Sequence, residues 1–127
     1  MKTKSSNINV TKMAKAQTYQ CPVTATLSVI GGRWKPILLW TLSNGSKRFG
    51  QLDAIITGIS RKILTEQLKE LETSGLIIRT QYNETPPRVE YALSEKGKTL
   101  KPVMKAMCEW GTTHVMETNS KSKVKKI

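Results

Sequence analysis

The stretch that decides the fold runs from Ile59 to Thr73 and reads ISRKILTEQLKELET. Within it, leucines at positions 64, 68 and 71 recur every three or four residues, which places them on one face of a helix. Ser60 is a residue type that caps helix N-termini, and a Ser-Gly pair follows the stretch as a stop signal. The pattern therefore predicts an amphipathic helix over Arg61 to Thr73, with a narrow apolar stripe.

The face of this helix opposite the leucines carries side chains that can read DNA. Arginine and lysine donate to guanine or phosphate, threonine offers a hydroxyl or a methyl contact to thymine, and glutamate accepts from cytosine. Ser60 and the helix N-terminus suit a phosphate. An ordinary solvated helix face is the alternative, and the neighbouring elements decide between the two. The residues on this polar face are Arg61, Lys62, Thr65, Glu66 and Lys69.

A second helical pattern precedes this stretch. Phe49, Leu52, Ile55 and Ile56 recur at spacings of three and four, which predicts a short helix, and a glycine-containing turn follows it. Helix, short turn and helix is the helix-turn-helix pattern, whose second or recognition helix enters the major groove with its N-terminal residues nearest the base edges. The candidate phosphate contacts just before the first helix are Lys47 and Arg48.

Two strand-like runs follow the recognition helix, at Leu76 to Tyr82 and at Arg88 to Leu93. The second run alternates apolar and polar residues, and a polar, proline-rich segment between the runs marks a hairpin tip. A helix-turn-helix followed directly by a hairpin is a winged helix. Arg88, at the base of the hairpin, can reach the minor groove or a flanking phosphate. The alternative is a strand residue that pairs with Glu90.

Further helices flank the winged helix. Pro22 to Ile30 reads as a helix, and Lys35 to Leu42 reads as one that is apolar on nearly all sides and therefore buried. Ser94 caps another helix, and Pro102 either kinks it or begins a separate one. The predicted fold class is α+β and mostly helical: a winged helix-turn-helix with extra N- and C-terminal dimerisation helices.

The last of these helices carries more apolar surface than one small domain covers. Its stripe includes a tryptophan and methionines, with His114 as a polar edge residue. A two-fold partner is the simplest way to bury such a stripe, and a helix folded back on its own core is the alternative. The candidate dimer-interface residues are Val103, Met104, Met107 and Trp110.

The charge of the chain points to a polyanionic partner. The 127 residues include 21 Lys and Arg against 9 Asp and Glu, a net charge of +12, which favours nucleic acid first and an anionic membrane surface second. Over half of the excess lies at 1–20 and 117–127, predicted as basic flexible tails around one domain at 21–116. Because no signal peptide or membrane-length apolar run is evident, we expect a cytoplasmic protein without a membrane partner.

Two cysteines and one histidine restrict the chemistry of the chain. They argue against a disulfide-rich scaffold and against a metal site, and no cofactor is expected. Cys21 stands just before a helix, where the helix dipole lowers the pKa of a thiol, so it is either a reactive thiol or a packing residue. Cys108 lies on an apolar helix face and is assigned to packing. An enzyme that uses Cys21 with His114 as base is disfavoured, because no Gly-rich loop or paired acidic residues accompany them.

Several ordered segments resemble the HxlR-type family of bacterial transcriptional regulators, relatives of the MarR-like winged-helix proteins. They are CPV at 21–23, IGGRW at 30–34 with PILL at 36–39, RFGQL at 48–52, the stretch at 59–72, and PRVEYALSEKG at 87–97. Gln51 departs from the family pattern, which more often has glutamate there. The resemblance covers about residues 21–111 and implies a homodimeric DNA-binding regulator with its first and last helices in the dimer interface. It also implies a sensor role for Cys21, with a small electrophile or oxidant as effector.

The predicted function is therefore transcription regulation without enzymatic activity. A homodimer is expected to bind double-stranded DNA in a sequence-specific way, at an inverted-repeat operator. The alternative is a winged helix that binds RNA or another protein. A strong preference for one duplex sequence distinguishes operator recognition from binding of RNA and from binding of another protein.

Overall fold

The computed structural model describes residues 21–116, and the chain divides into two compact units, 1–33 and 34–127. The segments predicted as basic tails lie outside the described residues, and the domain bounds of 21–116 stay a prediction. In the first unit, helix α1 spans Pro22–Ile30, with Pro22 in its first turn and Cys21 at its N-cap. Both features agree with the helix start predicted from the sequence.

The second unit contains the winged helix-turn-helix and confirms the predicted α+β fold class. In chain order its elements are α2 (Lys35–Leu42), β1 (Lys47–Arg48), α3 (Phe49–Ile55), α4 (Arg61–Thr73), β2 (Ile77–Tyr82), β3 (Arg88–Leu93), α5 (Glu95–Lys98) and α6 (Lys101–Gly111), followed by a π-helical turn at Thr112–Met116. The bounds of α4 and β3 are those predicted. Pro102 lies in the first turn of α6, so it begins a separate helix rather than kinking the preceding one.

Local interactions fix both ends of α4. The Ser60 Oγ accepts a hydrogen bond from the Ile63 N–H at 3.1 Å, which caps the N-terminus as predicted. Gly75, just beyond the C-terminus, has a φ of +79°, a conformation that L side chains rarely adopt. Between these ends the predicted leucine stripe is fully buried, with Leu64, Leu68 and Leu71 at most 1% exposed. Burial of this stripe fixes the rotation of α4 about its own axis.

The wing is a three-stranded antiparallel sheet in the order β1-β3-β2. Ile77 pairs with Leu93 at its base, and Tyr82 pairs with Arg88 next to the hairpin tip. The short strand β1 lies along the other side of β3. The sequence does not predict β1, because two residues are too few to show an alternating pattern.

The core of the second unit buries one side of α2. Leu38, Leu39 and Leu42 are at most 2% exposed, whereas Ile37 remains 41% exposed. This corrects the prediction of a helix buried on nearly all sides. The physical reason is that α4, α6 and β3, which make the most extensive contacts with α2, cover only part of its circumference.

Gly97 of α5 provides a test of this packing. A Cβ at this position would collide with the backbone carbonyl of Leu76 and lie 3.4 Å from the Leu93 Cβ. We therefore expect Gly97→Ala to lower the free energy of unfolding by about 1–3 kcal/mol, the usual cost of overpacking. Gly50→Ala is the control, because nothing lies within 4 Å of a Cβ built there. Urea denaturation compares the two variants, and equal free energies of unfolding would contradict the described packing.

Candidate nucleic-acid interface

The polar face of α4 is open to solvent. Because the leucine stripe points into the core, the opposite side of the helix forms part of the surface. All five residues that the sequence places on this face are exposed in the structure, and they share it with the N-cap Ser60. These residues are Arg61, Lys62, Thr65, Glu66 and Lys69.

Arg61 connects the two helices of the helix-turn-helix. Its Nη1 donates to the Asp53 Oδ2 at 2.9 Å, and its guanidinium carbon lies 5.0 Å from the centre of the Phe49 ring. Both partners belong to α3. The first cation of the recognition helix is thus held against α3, by one ion pair and one cation–π contact.

The other charged residues of the exposed face are less constrained. Lys62 Nζ lies 3.5 Å from Glu66 Oε2, one helical turn away, and both side chains are largely exposed. Such exposed pairs contribute about 0.3–0.5 kcal/mol, so either member can exchange its partner for a group on a ligand. Within the described part of the chain, Lys69 forms no ion pair. The Thr65 hydroxyl donates to the Arg61 carbonyl at 2.9 Å.

The recognition helix carries no net formal charge. Three basic residues and three acidic residues occupy Arg61–Thr73. One of the acids, Glu70, pairs with Lys35 of α2 at 2.5 Å. Attraction to a polyanion must therefore come chiefly from elements beside α4.

One of these flanking elements is β1, where Lys47 and Arg48 precede α3. The Arg48 backbone N–H donates to the Gln51 Oε1 at 2.8 Å, so the side chain at position 51 caps α3. Glutamine offers this oxygen as glutamate would, without adding a negative charge. Lys47 Nζ contacts the Gly45 carbonyl at 3.4 Å. Neither β1 side chain forms an ion pair with another described residue.

Arg88 lies inside a cluster at the outer end of the wing, where it pairs with Tyr82 next to the hairpin tip. This corrects its predicted place at the base of the hairpin, because β3 begins at Arg88 and runs from the tip toward the core. Its Nη2 donates to the Glu84 Oε2 at 2.7 Å, its Nη1 pairs with Glu90, and its guanidinium lies 4.0 Å from the centre of the Tyr82 ring. The hydrogen bond with Glu84, supported by that with Glu90, raises the pKa of the Arg88 guanidinium, and the same Arg88 hydrogen bond lowers the pKa of Glu84. Two carboxylates face one cation, so the cluster is net negative.

Sequence reasoning missed two of these ion-pair partners. It considered Glu90 for Arg88, but it assigned no partner to Arg61 and overlooked Glu84. Glu84 and Arg88 stand four residues apart, a spacing that signals an ion pair in a helix but not across a hairpin tip. Asp53 lies on a different helix from Arg61, and the angle between two helices is not readable from their sequences.

Part of the predicted dimer stripe is exposed on α6. Val103, Met107 and Trp110, here called the α6 strip, are 40%, 44% and 62% exposed, and the Trp110 ring centre lies 4.8 Å from that of His114. Met104 is only 4% exposed. It packs between α6 and the rest of its own unit, so its place in a dimer interface stays a prediction. The α6 strip is apolar surface that soluble proteins usually cover.

An apolar groove of about 240 Å³ lies between α2 and α6. Trp40 of α2 and Met107 of α6 are among its lining residues, together with Cys108. The Cys108 thiol is half-buried, and its place in an apolar lining agrees with a packing role.

Cys21 differs from Cys108 in exposure and in its electrostatic environment. It is exposed at the N-cap of α1. The backbone N–H of Thr24, and then that of Val23, stabilise the thiolate and lower the pKa of the Cys21 thiol below its ordinary value. A lowered pKa increases the fraction of nucleophilic thiolate at neutral pH, and the exposure of Cys21 leaves that thiolate accessible to a reagent.

Neither a metal-binding cluster nor a membrane-length helix occurs between residues 21 and 116. In this range no group of three His, Cys, Asp or Glu side chains is placed to hold a metal ion. No helix of the described chain is long and apolar enough to cross a membrane.

Comparisons with known proteins agree with this geometry. The family model described as HxlR-like helix-turn-helix matches residues 29–119. The HTH-type transcriptional regulator YtcD of Bacillus subtilis (strain 168) is 46% identical over 97 residues, which are 76% of this chain and 77% of YtcD. The solved structure of the redox regulator HypR in its oxidized form has a TM-score of 0.71 at 47% identity, covering 74% of this chain and 97% of HypR. The reduced form of the transcriptional regulator YodB from B. subtilis has a TM-score of 0.68 at 37% identity, covering 76% of this chain and 96% of YodB.

Proposed function

Because the chain belongs to the HxlR-like helix-turn-helix family of transcriptional regulators, we propose that it binds double-stranded DNA as a homodimer at an inverted-repeat operator. The single observation that carries this proposal is the orientation of α4. Its buried leucines expose a polar face whose N-terminal half combines donors, an acceptor and a methyl group. That combination fits the base edges of the major groove.

The proposed contacts divide according to their position on the helix-turn-helix. Lys62, Thr65 and Glu66 lie near the N-terminus of α4, the part of a recognition helix that meets base edges. Arg61 would position α4 through Asp53, with its remaining donors available to a nearby phosphate. The remaining proposed phosphate contacts are Lys47, Arg48, Ser60 and Lys69.

The homodimer accounts for the apolar α6 strip. Three large apolar side chains along one helix face are unfavourable in water, and a second copy related by two-fold symmetry would cover them with the same residues. A symmetric dimer presents two recognition helices. It would therefore read two half-sites in inverted orientation, with centres one or more helical turns apart.

Selection of bound duplexes from a random library tests operator recognition. We expect a preferred sequence, and we expect Lys62→Ala and Thr65→Ala each to reduce discrimination between the selected and a scrambled duplex by about 1–3 kcal/mol, the usual value of a base contact. Lys98→Ala is the matched control, since Lys98 also forms an exposed ion pair with a glutamate on its own helix. It should leave discrimination unchanged.

Two results would overturn this assignment. Equal losses on the selected and scrambled duplexes would remove Lys62 and Thr65 from base readout. Failure to enrich any duplex, with RNA or a protein retained instead, would favour the alternative in which the winged helix binds RNA or a protein partner.

The dimer is tested by placing a charge in the α6 strip. Trp110→Glu should produce monomers and weaken binding to the selected duplex, because a buried, unpaired carboxylate is strongly unfavourable. Lys105→Glu is the control for subunit association, since Lys105 pairs with Glu109 on the other side of α6. Sedimentation at micromolar concentration measures the mass. A monomeric wild-type protein would contradict the proposed dimer.

We further propose that operator binding responds to a small oxidant or electrophile through Cys21. The support is the exposed position of Cys21 at a helix N-terminus, together with the similarity to structures of the redox regulator HypR. A thiolate is the nucleophile in both oxidation and alkylation, so the lowered pKa of Cys21 favours either reaction.

The response is tested by comparing wild type with Cys21→Ser before and after diamide. Duplex affinity should change only in the wild type. The rate of alkylation of Cys21 by iodoacetamide should rise with pH to a plateau, because only the thiolate reacts. It should reach half of that plateau below pH ~8.5, the ordinary cysteine pKa, since the pKa of Cys21 is lowered. Cys108, retained in Cys21→Ser, provides the slower reference thiol. Identical diamide responses in the two proteins would leave Cys21 without a sensor role.

A further inference from the structure

The wing sheet has two faces with different surroundings. Ile77 and its partner Leu93 are 3% and 6% exposed, so their side chains point into the core. Successive residues of a strand point to opposite faces, and Ile78, the next residue, is 50% exposed. One face of the wing is therefore the core face, and the other is the outer face.

The register places one arginine on each face. Arg79 pairs with Tyr91, two residues from the Ile77–Leu93 pair, and therefore lies on the core face. Arg88 pairs with Tyr82, and this pair is five residues along each strand from the Ile77–Leu93 pair. Because five is an odd number, Arg88 lies on the outer face. The core face is also the side on which α4 lies, because the leucines of α4 belong to that core.

Lys47 completes a row of three residues on the core face. It pairs with Tyr91 from the β1 side, opposite Arg79, so the order across the sheet is Lys47, Tyr91, Arg79. Neighbouring strands lie about 4.8 Å apart, so the backbones of Lys47 and Arg79 are separated by about 10 Å. At this separation the two side chains can reach different phosphates. Within the described residues neither one pairs with a carboxylate.

We propose that Lys47 and Arg79 form the phosphate clamp of the wing, and that Arg88 is a positioning residue that makes no contact with DNA. This inference rests on the proposed DNA binding and names Arg79 as a contact that the sequence did not suggest. Arg88 already has two carboxylates and an aromatic ring as partners. Moving it to a phosphate would leave Glu84 and Glu90 close together without their counter-charge. Its role is to hold the two strands and the hairpin tip together.

The salt dependence of binding distinguishes a phosphate contact from a positioning role. The slope of log Kobs against log[salt] is negative, and each lost phosphate contact reduces its magnitude by about 0.9. We expect this loss in Arg79→Ala and in Lys47→Ala, on both the selected and a scrambled duplex, and we expect Arg79→Lys to restore the slope. Arg88→Gln should weaken binding at every salt concentration with an unchanged slope, because it alters the wing and not the number of phosphate contacts.

Either of two outcomes would overturn the inference: an unchanged slope in Arg79→Ala, or a slope whose magnitude falls by about 0.9 in Arg88→Gln. Thermal unfolding of Arg79→Ala should match the wild type, which separates loss of a contact from loss of the fold. Failure of the proposed function would look different. In that case the wild-type protein itself would show no preference for any duplex, whatever the slopes of the variants.

Discussion

Burial of the leucine stripe on α4 is the contact on which the candidate interface depends. A helix turns by 100° per residue, so once Leu64, Leu68 and Leu71 occupy the core, the direction of every other side chain on α4 follows. Removing one such leucine typically costs about 2–5 kcal/mol, more than any surface ion pair on this helix contributes. The polar face of α4 is therefore positioned by apolar packing and not by its own charges.

The same core also orients the wing. Ile77 and Leu93 enter it from the base of the hairpin, which fixes the faces of all later pairs in the sheet. The recognition helix and the wing are thus oriented by one hydrophobic core, and the basic residues lie on the surface around it. Because α4 has no net charge, the proposed function assigns attraction to phosphates and reading of bases to different elements. Attraction to phosphates would come mainly from β1 and the wing, and reading of bases from α4.

Local patterns made most of the fold predictable. Ser60 and Gly75 mark the ends of α4, and alternation marks β3, because caps and side-chain periods are properties of neighbouring residues. Interactions between elements were not predictable to the same degree. The two-residue strand β1, the Arg61–Asp53 pair and the burial of Met104 all depend on how distant segments approach one another. The side chains of the candidate site were therefore predictable, whereas Asp53 as the partner of Arg61 and Glu84 as a partner of Arg88 came only from the three-dimensional structure.

The ion pairs of Arg61 and Arg88 suggest why such a basic chain places carboxylates beside its arginines. Exposed ion pairs contribute only about 0–1 kcal/mol to stability, so Asp53 beside Arg61 and Glu84 beside Arg88 are better explained by geometry. Each holds a long, flexible side chain in one position. Each also cancels a charge that would otherwise attract any nucleic acid. For the DNA binding proposed above, neutralising these two arginines would lower the electrostatic attraction to every duplex alike, because the phosphate contribution does not depend on sequence. Discrimination between duplexes would then rest on the contacts to base edges, which the carboxylates leave unchanged.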